Sequence, residues 1–380
     1  MKTLDIGVLC EIIDNHSGSR APLEIASHLA ALNQKVTIYA YDYKLNRRAK
    51  ADLKRKNVKV ILIKKPNIPF IGKYAGAITL LKILRTRRHQ IMTYCAMFPF
   101  FLAGILSGTP IVRIYQGTQF DALLERKLPG EKLNLFEKVT NFFANIYIYS
   151  IELTTTHFSK GIVAISKYAK KEAEKLYFKK VDRVIYLGTT YLGKSQSGSK
   201  PKKKYSFISV SRITPYKGFH LIIKALNKLK TKNINYVIVG SQPKKKYQQY
   251  LKKIGYPFVK LVINPPDREL ANLYRTSKIY LNADRHQYFG LTLTEAALYG
   301  LPTVSFDFAA SRELIDDNKS GFIAKNEAQF TKAVEKLLKN PKLMRKMGSN
   351  ARIKAQKEFT WRNTTINYLS LLNKIVNENK

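Results

Sequence analysis

The sequence predicts an α/β protein built from two doubly wound parallel-sheet domains. Apolar strands alternate with helices through both halves, and a polar run rich in Gly, Ser and Lys separates them. The length of 380 residues also exceeds one ordinary core. The first domain is placed at residues 1–192, the linker at 193–204 and the second domain from 205 to 360.

In the first half, Leu4–Leu9 reads as a strand, Pro22–Leu32 as a helix, and Lys35–Ala40 and Val58–Ile63 as strands. A helix is expected from about Lys73 to Leu84, then strands at Met92–Cys95 and Ile111–Tyr115. The strand Gly161–Ile165 leads into the helix Ser166–Leu176. The run Gly193-Lys-Ser-Gln-Ser-Gly-Ser-Lys-Pro-Lys-Lys-Lys204 then interrupts with linker chemistry. Beyond it the spacing predicts the strand Tyr205–Val210, helix Phe219–Lys230, strand Tyr236–Val239, helix Lys245–Lys253 and strand Val259–Ile263. The helix Arg268–Thr276, strand Ile279–Asn282, helix Thr292–Tyr299, strand Pro302–Ser305 and a last pair of helices follow. Two such domains are expected to face a central crevice at their strand C-termini, where doubly wound sheets bind ligands.

Apolar content of 45% with 11% aromatics excludes wholesale disorder. The formal charge of +41 favours polyanionic partners such as lipid headgroups or phosphorylated substrates. No zinc-finger, helix-turn-helix or basic-aromatic pattern stands out, so nucleic acid is not the expected partner. Only Cys10 and Cys95 are present, which makes no disulfide framework and fits a reducing compartment. The N-terminus lacks the features of a signal peptide. From Ile91 to Val112 no charged residue occurs for about 22 positions. Pro99, Gly104, Gly108 and Pro110 divide that stretch into strand, short helix and strand, so a buried unit is expected rather than a membrane span. The chain reads as cytoplasmic and either soluble or peripheral on a membrane surface.

The segment Ser209-Val-Ser-Arg-Ile-Thr-Pro-Tyr-Lys-Gly218 is the most informative. A strand runs into a loop carrying Arg212 and Lys217, and a helix opens at Gly218. Such a turn points backbone N–H groups and a positive helix end at its ligand, which suits an anion. The two cations adapt it to a nucleotide diphosphate. Val239-Gly240-Ser241 ends another strand, where glycine permits close approach of a ligand. A third strand ends in Asn282-Ala-Asp-Arg-His-Gln-Tyr-Phe-Gly-Leu-Thr-Leu-Thr-Glu295. The N–H groups around Gly290 and Leu291 are candidate phosphate caps there. Glu295 is either an acceptor for ribose hydroxyls or a helix-dipole partner on a solvated face.

These residues resemble the C-terminal signature of the family 4 (group 1) retaining nucleotide-sugar glycosyltransferases, which have the GT-B fold of two Rossmann-like domains. Arg212 and Lys217 stand at the two basic positions of that family's donor-diphosphate segment, and Phe289–Glu295 resembles the second half of its paired-glutamate motif. Glu313, Gly321 and Phe322 resemble the strand and turn that follow. Phe359-Thr-Trp361 resembles the crossover that returns the last helix, 361–380, to the first domain. Ser17-Gly-Ser-Arg20 occupies the place of the glycine-rich loop, giving Gly18 a donor-diphosphate role, and Ile162–Ser166 resembles a further strand. The resemblance implies transfer of a hexose from a nucleotide-diphosphate sugar, with retention, to a lipid-linked or glycan acceptor. The first domain would hold the acceptor and the second the donor. Gly240 and Asn264 would lie near the donor nucleotide, Glu295 at its ribose, and Phe289 and Glu313 in support.

Two positions depart from the pattern. Gln287 stands where the motif begins with glutamate, and Gln116 lies where a histidine is common. Both are assigned to the catalytic region, and both keep polarity while losing ionisation. They motivate an alternative, a weak or inactive GT-B pseudoenzyme acting as a partner or polyanion-binding subunit. No Asp-x-Asp, His-x-x-x-His or Gly-x-x-x-x-Gly-Lys-Ser/Thr motif occurs, so neither a metal nor another cofactor is expected. An anionic membrane surface is a further expected partner. Ile68–Tyr74 leads into an apolar helix followed by Arg85, Arg87 and Arg88, and Leu133–Leu153 carries Phe136, Phe142, Phe143, Tyr147 and Tyr149.

Overall fold

Two all-parallel sheets organise the chain in a computed structural model. It describes residues 3–14, 20–45, 47–68, 71–95, 98–118, 120, 127–190, 203–231, 233–241, 244–255 and 257–378. Gly18 and residues 193–202 of the expected linker lie outside the described residues, as do positions 69 and 70 of the Ile68–Tyr74 segment. Met1–Thr118, Tyr147–Gly188 and Trp361–Lys380 form one compact unit; Gln119–Ile146 and Thr189–Thr360 form the other. Residues 119–146 therefore group with the second unit, although the sequence reading counts them in the first.

The first unit begins with β1 (Asp5–Leu9), β2 (Ile12–Asp14), α1 (Arg20–Ala31), β3 (Lys35–Ala40) and β4 (Asp42–Lys44). It continues through α2 (Arg47–Arg55), β5 (Lys59–Leu62), α3 (Ile71–Thr86), β6 (Ile91–Tyr94), α4 (Phe98–Leu106) and β7 (Ile111–Tyr115). The long helix α5 (Leu135–His157), which groups with the second unit up to Ile146 and with the first from Tyr147, precedes β8 (Gly161–Ala164), α6 (Lys167–Tyr177) and β9 (Arg183–Val184). The sheet order is β5-β3-β1-β6-β7-β8-β9, with β2 and β4 paired separately. Strands β6, β7 and β8 are buried at every residue, as expected of a sheet covered on both faces. Leu80, Leu84, Phe100 and Phe101 close a core with Leu9 of β1, Tyr39 of β3, Met92 and Tyr94 of β6 and Ile111 of β7. The uncharged stretch from Ile91 to Val112 resolves into strand, helix and strand, and among the described residues no helix is long and apolar enough to cross a membrane.

The second unit contains β10 (Tyr205–Val210), α7 (Phe219–Asn227), β11 (Tyr236–Gly240), α8 (Lys245–Gly255) and β12 (Val259–Ile263). Next come α9 (Asp267–Thr276), β13 (Ser277–Asn282), α10 (Leu291–Leu298), β14 (Thr303–Phe306), the short α11 (Ser311–Leu314) and β15 (Gly321–Ala324). Helices α12 (Glu327–Lys339) and α13 (Pro341–Glu358) finish it, while α14 (Trp361–Glu378) belongs to the first unit. There Trp361 stacks on His28 of α1 at 5.6 Å. The sheet order is β12-β11-β10-β13-β14-β15. Phe306 and Phe330 stack at 4.6 Å in its core.

The expected last pair of helices is in fact three. Asn340 ends α12, and its side chain accepts from the Leu343 N–H to start α13, with Pro341 at the first position. Proline there has no intrahelical bond to lose and is set for a new helix. The helix α7 stops at Asn227, short of the expected Lys230.

In both main sheets the first strand lies between the second and the fourth principal strand, the doubly wound arrangement with its reversal beside the first strand. The reversal falls between β1 and β6 in the first unit and between β10 and β13 in the second. Loops leaving those strand C-termini define where each unit can build a ligand site.

Candidate functional site

At the reversal of the second unit, the loop after β10 meets the loop after β13. The β10 loop carries Arg212, turns through a short 3₁₀ segment at Pro215–Lys217, and enters α7 through Gly218 in left-handed conformation (φ 71°). A Cβ on Gly218 would overlap the Ala283 carbonyl, so only glycine lets the two loops close to this distance. The β13 loop ends in Gly290 (φ 93°), which opens α10; a Cβ there would overlap the Gln287 amide. Two helix N-termini thus open from adjoining loops with their positive dipole ends; at α7 the Gly218 N–H donates to the Pro215 carbonyl at 3.0 Å and the His220 N–H to the Tyr247 hydroxyl at 3.4 Å.

The strands beneath are cross-linked by polar contacts. Tyr280 donates to the Val210 carbonyl at 3.2 Å and lies 2.9 Å from the Thr292 hydroxyl. Ser209 donates to the Leu281 carbonyl at 2.5 Å and accepts from Tyr236 at 2.7 Å. These bonds join β10, β11 and β13 just below the loops.

Charge at the loop ends is concentrated and positive. Arg212 is exposed, with its guanidinium 5.6 Å from the Tyr216 ring centroid. The Lys217 ammonium lies 4.9 Å from the same ring and is paired with Asp284. Arg285 is exposed over Phe308 at 5.6 Å, and His286 meets Tyr216 edge-on at 6.0 Å. Tyr216, Asp284 and Arg285 were not singled out in the sequence. Asp284 and Arg285 stand inside the quoted Asn282–Glu295 segment, so only their pairing required the fold.

Glu295 sits in the second turn of α10 and is only 2% exposed, so it is not a dipole partner on a solvated face. Tyr274 of α9 donates to its Oε2 at 3.2 Å. Leu291, the first residue of α10, is half-buried. Phe289 is buried edge-on against Phe359 at 5.5 Å, and Glu313 is half-buried in α11.

Gln287 is 3% exposed and turned into its own loop. Its Oε1 accepts from Asn282 at 2.6 Å and its Nε2 donates to the Phe289 carbonyl at 3.4 Å. Asn282 also reaches Ser305 at 2.8 Å, and the Gln287 carbonyl accepts from the Ala310 N–H at 3.1 Å. An amide suits this place because it must accept at one end and donate at the other, which a carboxylate cannot do.

Gly240 ends β11, and a Cβ there would overlap the Ser211 carbonyl. The close approach that needs this glycine is thus made by the β10 loop itself, not by a ligand as the sequence reading had it. Asn264 follows β12, exposed and left-handed (φ 48°), its N–H bonded to the Gly240 carbonyl at 2.9 Å.

In the first unit, Gln116 follows β7 directly and is half-buried. Beside it, buried Arg113 donates to the Glu152 carbonyl at 2.5 Å and to the Thr156 hydroxyl. Tyr177 donates to the Glu152 carboxylate, whose pKa is raised by burial against the pull of Tyr177 and Arg113. Tyr115 donates to Glu172 at 2.6 Å. Cys10 and Cys95 follow β1 and β6; burial pushes the Cys10 thiol up to about 12 and the Cys95 thiol well above its usual range. Both thiols are therefore held protonated. Among the described residues no three His, Cys, Asp or Glu side chains gather as a metal would need.

Residues 193–354, which include the β10 and β13 loops, match the family model described as glycosyl transferases group 1. The chain is 29% identical over 178 residues to trehalose synthase of Pyrococcus horikoshii, an alignment covering 44% of this chain and 43% of that protein. The matched stretch spans about half the length of the first curated relatives. Over nearly the full length, the fold is similar to that of a glycosyltransferase from Rickettsia africae ESF-5, with TM-score 0.72, 18% identity and coverage of 98% and 99% of the two chains. It is also similar to Anabaena HepE, solved in complex with UDP and glucose, with TM-score 0.77, 15% identity and coverage of 98% and 100%.

His220, the second residue of α7, lies with its Nδ1 3.0 Å from the Tyr247 hydroxyl. Burial, with the charges of Lys224 and Arg285, pushes its imidazole down to about 4. The unfolded chain binds that proton near pH 6.5, so the folded state loses stability as pH falls from about 6.5 to about 4. The substitution His220→Asn, which keeps a polar atom near Nδ1, is expected to reduce the acid-side loss by about 2 kcal/mol. Urea unfolding of both proteins at pH 7 and pH 4.5 measures this, through the difference in slope rather than absolute stability.

The chain thus has the two-domain parallel-sheet fold of the GT-B glycosyltransferases, and its second unit matches the group 1 family model.

Proposed function

We propose that the chain is a retaining hexosyltransferase that uses a nucleotide-diphosphate sugar and needs no metal. The observation that carries this reading is the meeting of two glycine-opened helices with Arg212 and Lys217 at the β10/β13 reversal. The match of 193–354 to the group 1 family model supports it, as do the UDP complexes of HepE.

In this reading the diphosphate lies over the N–H groups at Gly290 and Leu291, with Arg212 and Lys217 balancing its charge. Glu295, steadied by Tyr274, accepts from the ribose, and the nucleoside lies toward Gly240 and Asn264. Phe289 and Glu313 support the loop. The bond between the sugar's anomeric carbon and the diphosphate oxygen breaks while the acceptor oxygen bonds to the same face. The acceptor proton passes to the departing diphosphate. Helix ends and fixed cations stabilise the leaving charge without a metal. The buried amide of Gln287 acts on the sugar side by shaping its loop, and Gln116 is proposed as a polar group of the first unit's catalytic region.

The acceptor is proposed to be lipid-linked or a glycan, met at the cytoplasmic face of an anionic membrane. On α3 the exposed stripe runs Ile71, Tyr74, Ile78, then Lys82 and Arg85, apolar at one end and basic at the other. On α5, Leu135, Phe136, Val139, Phe142, Phe143, Ile146 and Tyr147 are all exposed. Apolar rings beside cations suit an interfacial contact, each basic residue adding about 1 kcal/mol near an anionic surface.

Arg212→Ala and Lys217→Ala are each expected to weaken UDP binding by about 1.5–3 kcal/mol while leaving uridine binding nearly unchanged. Calorimetry with both ligands reads this, and equal losses would place the two residues outside the phosphate site. Transfer is expected to persist in a chelator; loss restored by magnesium or manganese would contradict the charge balance. Sedimentation with anionic vesicles should be strong at low salt and fall as salt rises, and no binding at low salt would exclude the membrane contact.

A further inference from the structure

One feature of the second unit works against simple phosphate capture. Lys217 and Asp284 form an ion pair with side chains only 12% and 13% exposed. The pairing uses Asp284 Oδ2, while Oδ1 accepts from the His286 N–H at 3.0 Å. The carboxylate is therefore fixed within its loop and bridges to the other loop through Lys217. Of the two cations assigned to the diphosphate, Lys217 is already neutralised, and its partner adds a negative charge where an anion is to bind.

We propose that Asp284 tempers the affinity of this site by competing with the diphosphate for Lys217. It holds the ammonium when the site is empty, yields it to the ligand phosphate on binding, and reclaims it as the diphosphate departs. The pair tempers affinity for a product that would otherwise be held by every cation at the loop ends, and so favours its release. This rests on the reading of the β10 and β13 loops as the nucleotide site.

The competition has a physical scale. Parting an ion pair near the protein surface costs up to roughly fivefold in an equilibrium constant, and a pair as enclosed as this one stands at the upper end, so removing the carboxylate returns about that factor to the diphosphate. The amide of Asp284→Asn keeps an acceptor for the His286 N–H and nearly the same shape, so the loop geometry is preserved. Asp284→Ser removes the carboxylate with a different shape and provides a second variant.

The test is calorimetry on the full chain with UDP, GDP, ADP and dTDP, the tightest diphosphate being carried forward with its nucleoside as control. Asp284→Asn and Asp284→Ser, which no longer hold Lys217 in an ion pair, are each expected to bind that diphosphate about fivefold more tightly, with the nucleoside unchanged. In a Lys217→Ala background the gain from Asp284→Asn should largely disappear. Weaker or unchanged diphosphate binding in both Asp284 variants would overturn the proposal and make Asp284 a group that orients Lys217 for the ligand. An undiminished gain without Lys217 would also overturn it, leaving only long-range repulsion. If the wild-type chain binds none of the four diphosphates, the nucleotide-site reading itself fails. Binding that ignores Asp284 fails this inference alone.

Discussion

Backbone packed on backbone at the ends of β11, β10 and β13 is the constraint on which the second unit's site depends. Gly240 lies under the Ser211 carbonyl, and Gly218 lies against the Ala283 carbonyl. Any side chain at either position would push one loop off the next. The Lys217–Asp284 pair and the Tyr280–Val210 bond then tie together what the glycines allow to meet. From this stacking follow the placement of both helix N-termini and the convergence of Arg212, Lys217 and Arg285. A ligand here would meet backbone groups fixed before it arrives, which is the basis of electrostatic preorganisation.

Much of this was legible because the second unit repeats strong local signals. Fully apolar strands such as Tyr236–Gly240 and glycines at strand-to-helix turns need no tertiary knowledge to read. What was not legible came from contacts distant in sequence. Arg212, Lys217, Gly290 and Glu295 could be chosen by residue type and position, but the partner of Lys217 lies 67 residues away. The inward turn of Gln287 depends on Asn282 and Ser305, so its residue type alone could not distinguish a sugar contact from a structural amide.

Helices α2 and α5 escaped periodicity for opposite reasons. In α2, Arg47–Arg55, charged residues dominate, and Leu53 is its buried apolar anchor. Along α5 the usual amphipathic rule is inverted. Asn141, Thr155 and Thr156 are buried, whereas Leu135, Phe136, Phe142 and Phe143 face outward. The polar side of its later turns is satisfied by Arg113 and Tyr177, so the helix is held by hydrogen bonds and an ion pair. Such a helix looks like a buried apolar segment until its neighbours are known.

The central claim is that the β10/β13 reversal holds a nucleoside diphosphate by its phosphates. A crystal structure of the chain soaked with UDP tests it most directly. Phosphate oxygens are expected within about 3 Å of backbone nitrogens at the opening of α10, with Arg212 and Lys217 turned toward them. UDP bound with its phosphates away from that opening, or bound only in the first unit, would contradict it.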